Sequence, residues 1–450
     1  MALNLNLSLS KMIRKMKIYK ILGLLLLLPS MIFSQQIIPI SKMEVLEKVK
    51  NQNHDLKIGA QEVLVAQGDY QQTNGIFLPS LRASHTAMAT TNPLMAFGFK
   101  LNQEIITQAD FDPNALNNPS QVRMFATKLE FEQPILNLDG VYHRKAAKAT
   151  WEATQLQLNR SEDYLAFETK NAYMQLQVAY KSEMVLERTL EAVLENLRWA
   201  ENSQKQGYLQ YSDVLAVQVR VNEVRNQLQY AKSNIVNASE YLALLMNENI
   251  EGILQPMDSL SLQTEWEIRK EVSDNRADIQ AMEKVVEAYK QNHQADKMLL
   301  LPRVNAFGNY ELYDDQLFHA NANGYLIGAA LTWDVFDGSK RSGKSKKSKA
   351  ELEKANLELE QYKSENQLEL NKAIRTYQDA KNNVSLTELA MEQSKKALKI
   401  RNNRFKEGLE KTSDLLLAET QYQQKQLEYY YMVYQHNYAL NYLQLLTKAN

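Results

Sequence analysis

Two stretches of this 450-residue chain run without proline for longer than a compact domain can hold. Gly140 to Gly207 spans 67 residues and Gly338 to Gly408 spans 70. As helices rising about 1.5 Å per residue, each would reach on the order of 100 Å. Leu158, Leu165, Ala172, Ala179, Leu186, Val193 and Ala200 recur every seven residues in the first. Leu370, Tyr377, Val384, Met391, Leu398 and Phe405 do so in the second. A sustained seven-residue apolar repeat predicts coiled-coil packing rather than a globular core. Gly and Pro together make up about 5% of the chain, against roughly 12% on average, which predicts few, long elements.

The chain is also a duplication. His54-Asp55-Leu56 matches Ala277-Asp278-Ile279, and Pro79 matches Pro302, both at an offset of 223. Leu138-Asp139-Gly140 matches Phe336-Asp337-Gly338 at 198, and Gly207 with Ser212-Asp213-Val214-Leu215 matches Gly408 with Ser413-Asp414-Leu415-Leu416 at 201. The drop of 25 places an insertion in the first copy near residues 90–120, where Pro93, Pro113, Pro119 and many Asn predict a long loop. Each copy begins with a helical stretch, 41–75 and 274–300. Period-two alternation follows each proline and predicts strands at about 77–89 with 122–136 and 303–313 with 324–336. Tyr325, Ile327, Ala329, Leu331, Trp333 and Val335 share one strand face; Phe125, Leu129 and Phe131 oppose Lys128, Glu130 and Glu132. Such strands suffice to cross a bilayer, which takes roughly 9–11 tilted residues. The expected helices are 140–206 with 211–247 and 338–406 with 412–447. Tyr422, Tyr429, Tyr430, Tyr431, Tyr434, Tyr438 and Tyr442 in the last are expected to pack between helices.

At the amino terminus, Lys11, Arg14, Lys15, Lys17 and Lys20 precede the apolar run from Ile21, which Pro29 and Ser30 interrupt before Ser34. A basic region, a short apolar region and a small exit residue predict a secretory signal peptide over 1–34. Met16-Lys17 would open a more ordinary signal, so residues 1–15 are expected to reflect an upstream start. The expected division is then 35–252 as the first repeat, 253–272 as a connector and 273–450 as the second repeat.

Composition narrows the function classes. A net charge of −1 supplies no field for nucleic acid. Mean hydropathy of −0.46 excludes a bundle of transmembrane helices. The absence of Cys excludes disulfides, thiol catalysis and a lipid-modified N-terminal Cys. A strand pair with an apolar outer face cannot sit alone in lipid, because its edges would leave backbone groups unpaired. Bacterial barrels need at least eight strands, so four per chain requires several chains.

An exported chain with this ordered set resembles the TolC-like outer-membrane efflux channels: two repeats, a Pro at each strand start, Asp-Gly strand-to-helix junctions and Gly-x4-Ser-Asp-(Val/Leu)-Leu tips. The resemblance implies a mainly α fold with a small membrane β part, in which a homotrimer closes a twelve-stranded barrel on a long α-helical coiled-coil barrel. It implies an exit duct in the outer-membrane lipid with an extended periplasmic part, served by an inner-membrane pump and a periplasmic adaptor. It implies no catalysis, no cofactor and no nucleic-acid partner. The insertion near 90–120 would lie outside the cell. The Gly207 and Gly408 turns would form the periplasmic tip, with Val214, Leu215, Leu415 and Leu416 beside them at the adaptor-docking surface. Asp414 matches an acidic residue that rings the closed entrance, Ser212 and Asp213 match polar positions that hold the gate, and Phe405 matches an aromatic position in the same lock. Leu417 stands where a second acidic ring would lie, and Glu410 where a gate Arg would, so closure by a leucine ring that dewets is expected in place of a double acid ring. Ser413 and Asp414 also fit a helix N-cap.

Three features point elsewhere and are weaker. Gly338-Ser-Lys-Arg-Ser-Gly-Lys344-Ser345 matches a phosphate-binding loop, but its strand alternates in polarity and the equivalent junction at Gly140 lacks the pattern. The basic run 340–349 fits the start of a membrane-proximal helix. His54, His85, His143, His293, His319 and His436 show no metal-ligand spacing. A periplasmic coiled-coil adaptor without a pore is the alternative class.

Overall fold

A computed structural model describes residues 36–264 and 268–448. The expected signal peptide lies outside the described residues. The elements are β1 (Ile37–Ile40), α1 (Lys42–Gln52), α2 (His54–Gln72), β2 (Ser80–Thr90), α3 (Pro93–Asn102), α4 (Pro113–Asn117), β3 (Val122–Leu136), α5 (Leu138–Lys205), α6 (Tyr211–Met246), β4 (Ile253–Pro256), α7 (Ala277–Met298), β5 (Arg303–Asp314), β6 (Ala322–Thr332), α8 (Lys340–Lys406) and α9 (Thr412–Thr447).

The heptad positions lie on the packed seams. Leu165, Ala172, Ala179, Leu186, Val193 and Ala200 are buried along α5, as are Leu370, Tyr377, Val384 and Phe405 along α8. Alanines at several of these positions let the helices approach closely. Tyrosines of α9 form a ladder between helices: the Tyr434, Tyr438 and Tyr442 rings follow one another at 6.3 and 6.2 Å, the last two stacked, and Phe167 of α5 packs on the last two.

Four strands form one antiparallel sheet in the order β2-β3-β5-β6. The in-register rungs Leu81–Phe131 and Leu129–Tyr310–Tyr325 put large apolar side chains on one face, where they are exposed. The alternate rungs Arg82–Glu130–Asn309 and Ser84–Lys128–Glu311 make the other face polar. Lys128 bridges Glu130 at 2.9 Å and Glu311 at 3.3 Å there. Pro134 sits at a bulge in β3, where a residue that cannot donate a ladder bond is tolerated. Gly328 lies under the Phe307 ring, 2.8 Å from where a Cβ would stand, so a larger residue at that rung would displace the ring.

Asp-Gly junctions join sheet to helices. Asn137 caps α5 through the Gly140 N–H at 3.1 Å, and a Cβ on Gly140 would collide with Ile76. Asp139 is ion-paired with Arg303 at the start of β5, and Asp337 with Arg341 at 3.0 Å. The helix after Gly338 starts at Lys340 and runs straight through Gly343-Lys344-Ser345. Lys344 is paired with buried Asp296 at 2.9 Å, so the nucleotide-like motif is helix rather than loop.

Several expectations need correction. The stretch 41–75 is two helices, because Asn53 adopts an extended ψ and caps α2 through the Asp55 N–H at 2.8 Å. The insertion at 90–120 is not simply a loop: Asn92 and Asp112 cap α3 and α4, each with Pro at its start. Strand β6 stops at Thr332, short of Trp333 and Val335. The connector carries β4, which pairs in parallel with β1. Around this pair Ile40, Val45, Leu176, Leu242, Met246 and Leu254 form the main core, and the buried Tyr173 hydroxyl donates to the Ile40 carbonyl at 3.1 Å.

The duplication extends to the packing. Asn53 and Arg276 occupy equivalent positions. Asn53 donates to the Leu245 carbonyl at the end of α6, and Arg276 to the Leu446 carbonyl at the end of α9. Each repeat thus ties the start of its short helix to the last turn of its returning helix. Among the described residues no helix is long and apolar enough to cross a membrane.

Candidate functional site at the helical tips

Both hairpins turn on glycines with left-handed backbone. Gly207 has φ 79° and Gly408 φ 75°. In each turn the residue after the glycine donates back across it, Tyr208 to the Ser203 carbonyl and Leu409 to the Arg404 carbonyl, both at 2.9 Å. This is the glycine-terminated helix end in which a side chain would strain the backbone.

The two tips pack on each other. Trp199 of α5 meets Phe405 of α8 at 4.4 Å between ring centroids. Ala200, Val214 and Val217 form a small core against which Leu416 packs. Phe405 is therefore buried in the contact between hairpins. Val214 and Leu415, expected at the adaptor-docking tips, are buried there as well. Leu215 remains exposed at the tip, with Tyr208, Tyr211 and Leu409 as apolar neighbours that the sequence motif did not single out.

Local bonds account for much of the polar chemistry. Asp213 accepts from the Gln210 N–H at 3.3 Å, closing the first turn of α6, and Ser212 is exposed beside it. Glu410 is clamped across its own turn by Arg401 at 2.7 Å and Arg404 at 2.8 Å, so here it fixes the shape of one hairpin. Asp414 is not the N-cap. Lys411 holds that position and Asp414 lies in the first turn of α9, where a carboxylate complements the helix dipole. Asp414 and Leu417 are three residues apart and share a face, half-buried and exposed respectively.

Above the tip lies a polar seam that heptad reasoning missed. Glu419 and Gln423 follow Leu415 at four-residue spacing, so the apolar stripe of α9 continues in polar side chains facing α6. Buried Arg220 donates to Gln423 and, at 3.3 Å, to Glu223; Gln423 donates to Gln227 at 2.6 Å. Glu419 is 3% exposed, and its Oε2 and the Arg220 Nε have no hydrogen-bond partner. Burial pushes the Glu419 carboxyl up to about 7 against the pull of Arg220. A polar residue on an otherwise apolar stripe was the signal available for it. Among the described residues no cluster of potential metal ligands occurs.

The sequence profile described as outer membrane efflux protein matches residues 45–248 and 268–447. No curated protein sequence matches. Among solved structures, the chain superposes on CusC, described in terms of transmembrane channel formation, with a TM-score of 0.79 and 15% identity over 91% of this chain and 92% of that one. The CmeC outer membrane channel of Campylobacter jejuni matches at 0.78 and 15% identity over 90% and 85%. The outer membrane protein VceC of Vibrio cholerae matches at 0.75 and 18% identity over 89% and 95%.

Proposed function

Because the chain belongs to the outer membrane efflux protein family, a family of channels rather than enzymes, we propose that three copies form the exit duct of a tripartite efflux or type I secretion system. The observation that carries this reading is the open sheet. Strands β2 and β6 are unpaired edges, and one face is apolar and exposed while the other is polar and ion-paired. Such a sheet is stable in lipid only when its edges are closed. Pairing β6 of one copy with β2 of the next supplies closure and gives twelve strands from three copies. Leu357, Leu368, Leu386, Leu389 and Ile400 are exposed along α8, a stripe suited to the neighbouring copy in a helical barrel. A periplasmic adaptor without a pore would have no use for the apolar sheet face.

In this assembly the long helices cross the periplasm, and an inner-membrane pump delivers substrate through an adaptor that docks at the tips by Leu215 and the Gly207 and Gly408 turns. The gate is the ring of Asp414 and Leu417 from three copies, held by the Trp199–Phe405 lock and shaped by Asp213 and Glu410. Outer-membrane fractionation with electrophoresis of unheated samples is expected to show a heat-dissociable trimer; a soluble periplasmic pool would contradict the duct. Asp414→Ala is expected to change cation block or leak of the reconstituted channel and to leave the trimer intact. Unchanged conductance and cation sensitivity would remove Asp414 from the gate.

A further inference from the structure

Residues 91–121 connect β2 to β3 at the end of the sheet remote from the long helices. Strand parity shows which face they cover. Met124, Ala126, Lys128 and Glu130 follow at period two on β3 and all point to the polar face. Ala96 and Phe99 of α3 bury against Val122 and Met124, with Met88, Ala126 and Tyr313 completing the contact. Tyr313 stands opposite Ala126 and shares its face. Helix α3 therefore lies on the polar side of the sheet and not on the lipid side. Gln103, buried just beyond its end, donates to the Arg123 carbonyl at 2.6 Å and ties the helix to β3. Lys100 pairs with Asp110 at 2.6 Å and holds the rest of the insertion to α3.

With Ala96, Phe99 and Gln103 against the sheet, Leu94, Gly98 and Leu101 fall on the opposite side of the helix. Leu94 is 82% and Leu101 57% exposed, and a Cβ on Gly98 would meet nothing. In a closed barrel the polar face is the inside, so this apolar ridge points at the axis. Twelve strands spaced about 4.8 Å and tilted about 40° enclose roughly 24 Å between backbones. A helix with its side chains is about 10 Å thick. Three such helices on the inner wall leave no open passage. The geometry points to a second gate at the outer mouth, in which the α3 helices of three copies meet through Leu94 and Leu101 and close the barrel with an apolar collar. Such a collar excludes water and ions until it is parted. Its hold on the wall is slight, two apolar side chains and the bonds of Gln103, so outgoing substrate can displace it while large solutes outside meet a closed mouth. This inference rests on the trimeric duct.

The absence of Cys makes any introduced thiol unique. Ser84 is on the polar face of β2, opposite Lys128 and deeper than α3. Ser84→Cys on intact cells is to be labelled with a small impermeant maleimide and with a polyethylene-glycol maleimide. The large reagent is expected to react at least roughly tenfold more slowly than the small one, because the collar bars it. Replacing residues 94–118 by a short Gly-Ser turn, or introducing Leu94→Asp with Leu101→Asp, should remove most of that difference. In a separate variant, Leu101→Cys should form a disulfide between copies on oxidation. A size ratio that is the same with and without the collar, or no disulfide in an assembled trimer, would overturn the outer gate. Unheated electrophoresis of each variant separates the two readings, since loss of the trimer from the parent chain itself would reject the duct and not the collar alone.

Discussion

Arg276→Ala is expected to destabilise the chain by about 3–5 kcal/mol, the usual consequence of removing one partner from a buried ion pair. Arg276 is 1% exposed, and its guanidinium meets three elements. It holds Asp278 through two bonds at 2.7 and 2.8 Å, donates to the Leu446 carbonyl at 3.1 Å, and bonds Asn366 of α8. Asp278 in turn accepts from Tyr362 at 2.6 Å and lies 3.5 Å from Arg160 of α5. Burial alone would raise the Asp278 carboxyl, but Arg276 and Tyr362 outweigh it and hold it below the ordinary range. Truncation therefore removes the shortest ion pair of Asp278, leaves the Leu446 carbonyl without this donor, and loosens α5, α7, α8 and α9 together. The duplication supplies the control. Asn53→Ala, at the equivalent position of the first repeat, removes a helix cap and a neutral bond and should cost about 1 kcal/mol. Denaturant unfolding of both variants checks this, and an Arg276→Ala cost no larger than that of Asn53→Ala would refute the ionic knot.

Glu419→Gln should stabilise the tip at pH 8 and leave it unchanged at pH 4. In the packed tip the carboxyl titrates at about 7, against an ordinary value of 4.5. A carboxyl raised in this way contributes fully below pH 4.5, and the contribution is lost as pH rises through about 7. The loss is about 3 kcal/mol per copy, since each tenfold change in proton affinity between the unfolded and packed states corresponds to about 1.4 kcal/mol. The charged groups facing it are Arg220 and, through Arg220, Glu223 on α6; neither gives Glu419 Oε2 a bond. Glutamine mimics the protonated form and abolishes the dependence. Hydrogen exchange of α6 and α9 near the tip, followed from pH 4 to pH 8, should show wild-type protection falling with pH and the variant flat. Equal pH profiles would mean that Glu419 is ionised or solvated in the packed tip.

Much of this architecture was legible because long-range order here is periodic. Seven-residue spacing from Leu165 to Ala200 and from Leu370 to Phe405 carried the helical seams, and alternation at Leu129, Phe131, Tyr325 and Ile327 carried the exposed apolar face of the sheet. The glycine turns were readable because glycine takes without strain the positive φ that closes such helix ends. What escaped was short or non-local. β1 and β4 are four residues each, lack alternation and find each other across more than 200 residues. Helices α3 and α4 were hidden by their own start signals, since Asn-Pro and Asp-Pro resemble loop punctuation until the cap is seen. Val214 and Leu415 lie beside exposed turns in sequence but are buried in the packed tips. The Arg220–Gln423 seam breaks the apolar pattern that made its neighbours legible.

In the proposed assembly the tips and the α3 collar would close the duct at its two ends, with the long helices between them. In that assembly copies of this chain complete a transmembrane pore that no single copy contains. Planar-bilayer conductance of the chain purified from outer membranes tests it, with electrophoretic fractions of the trimer and the heat-dissociated monomer applied separately. The account predicts ion-conducting steps from the trimer, enlarged by Leu94→Asp with Leu101→Asp, and none from the monomer. Conductance carried by the monomer, or a trimer that inserts and never conducts in any of these variants, would contradict it.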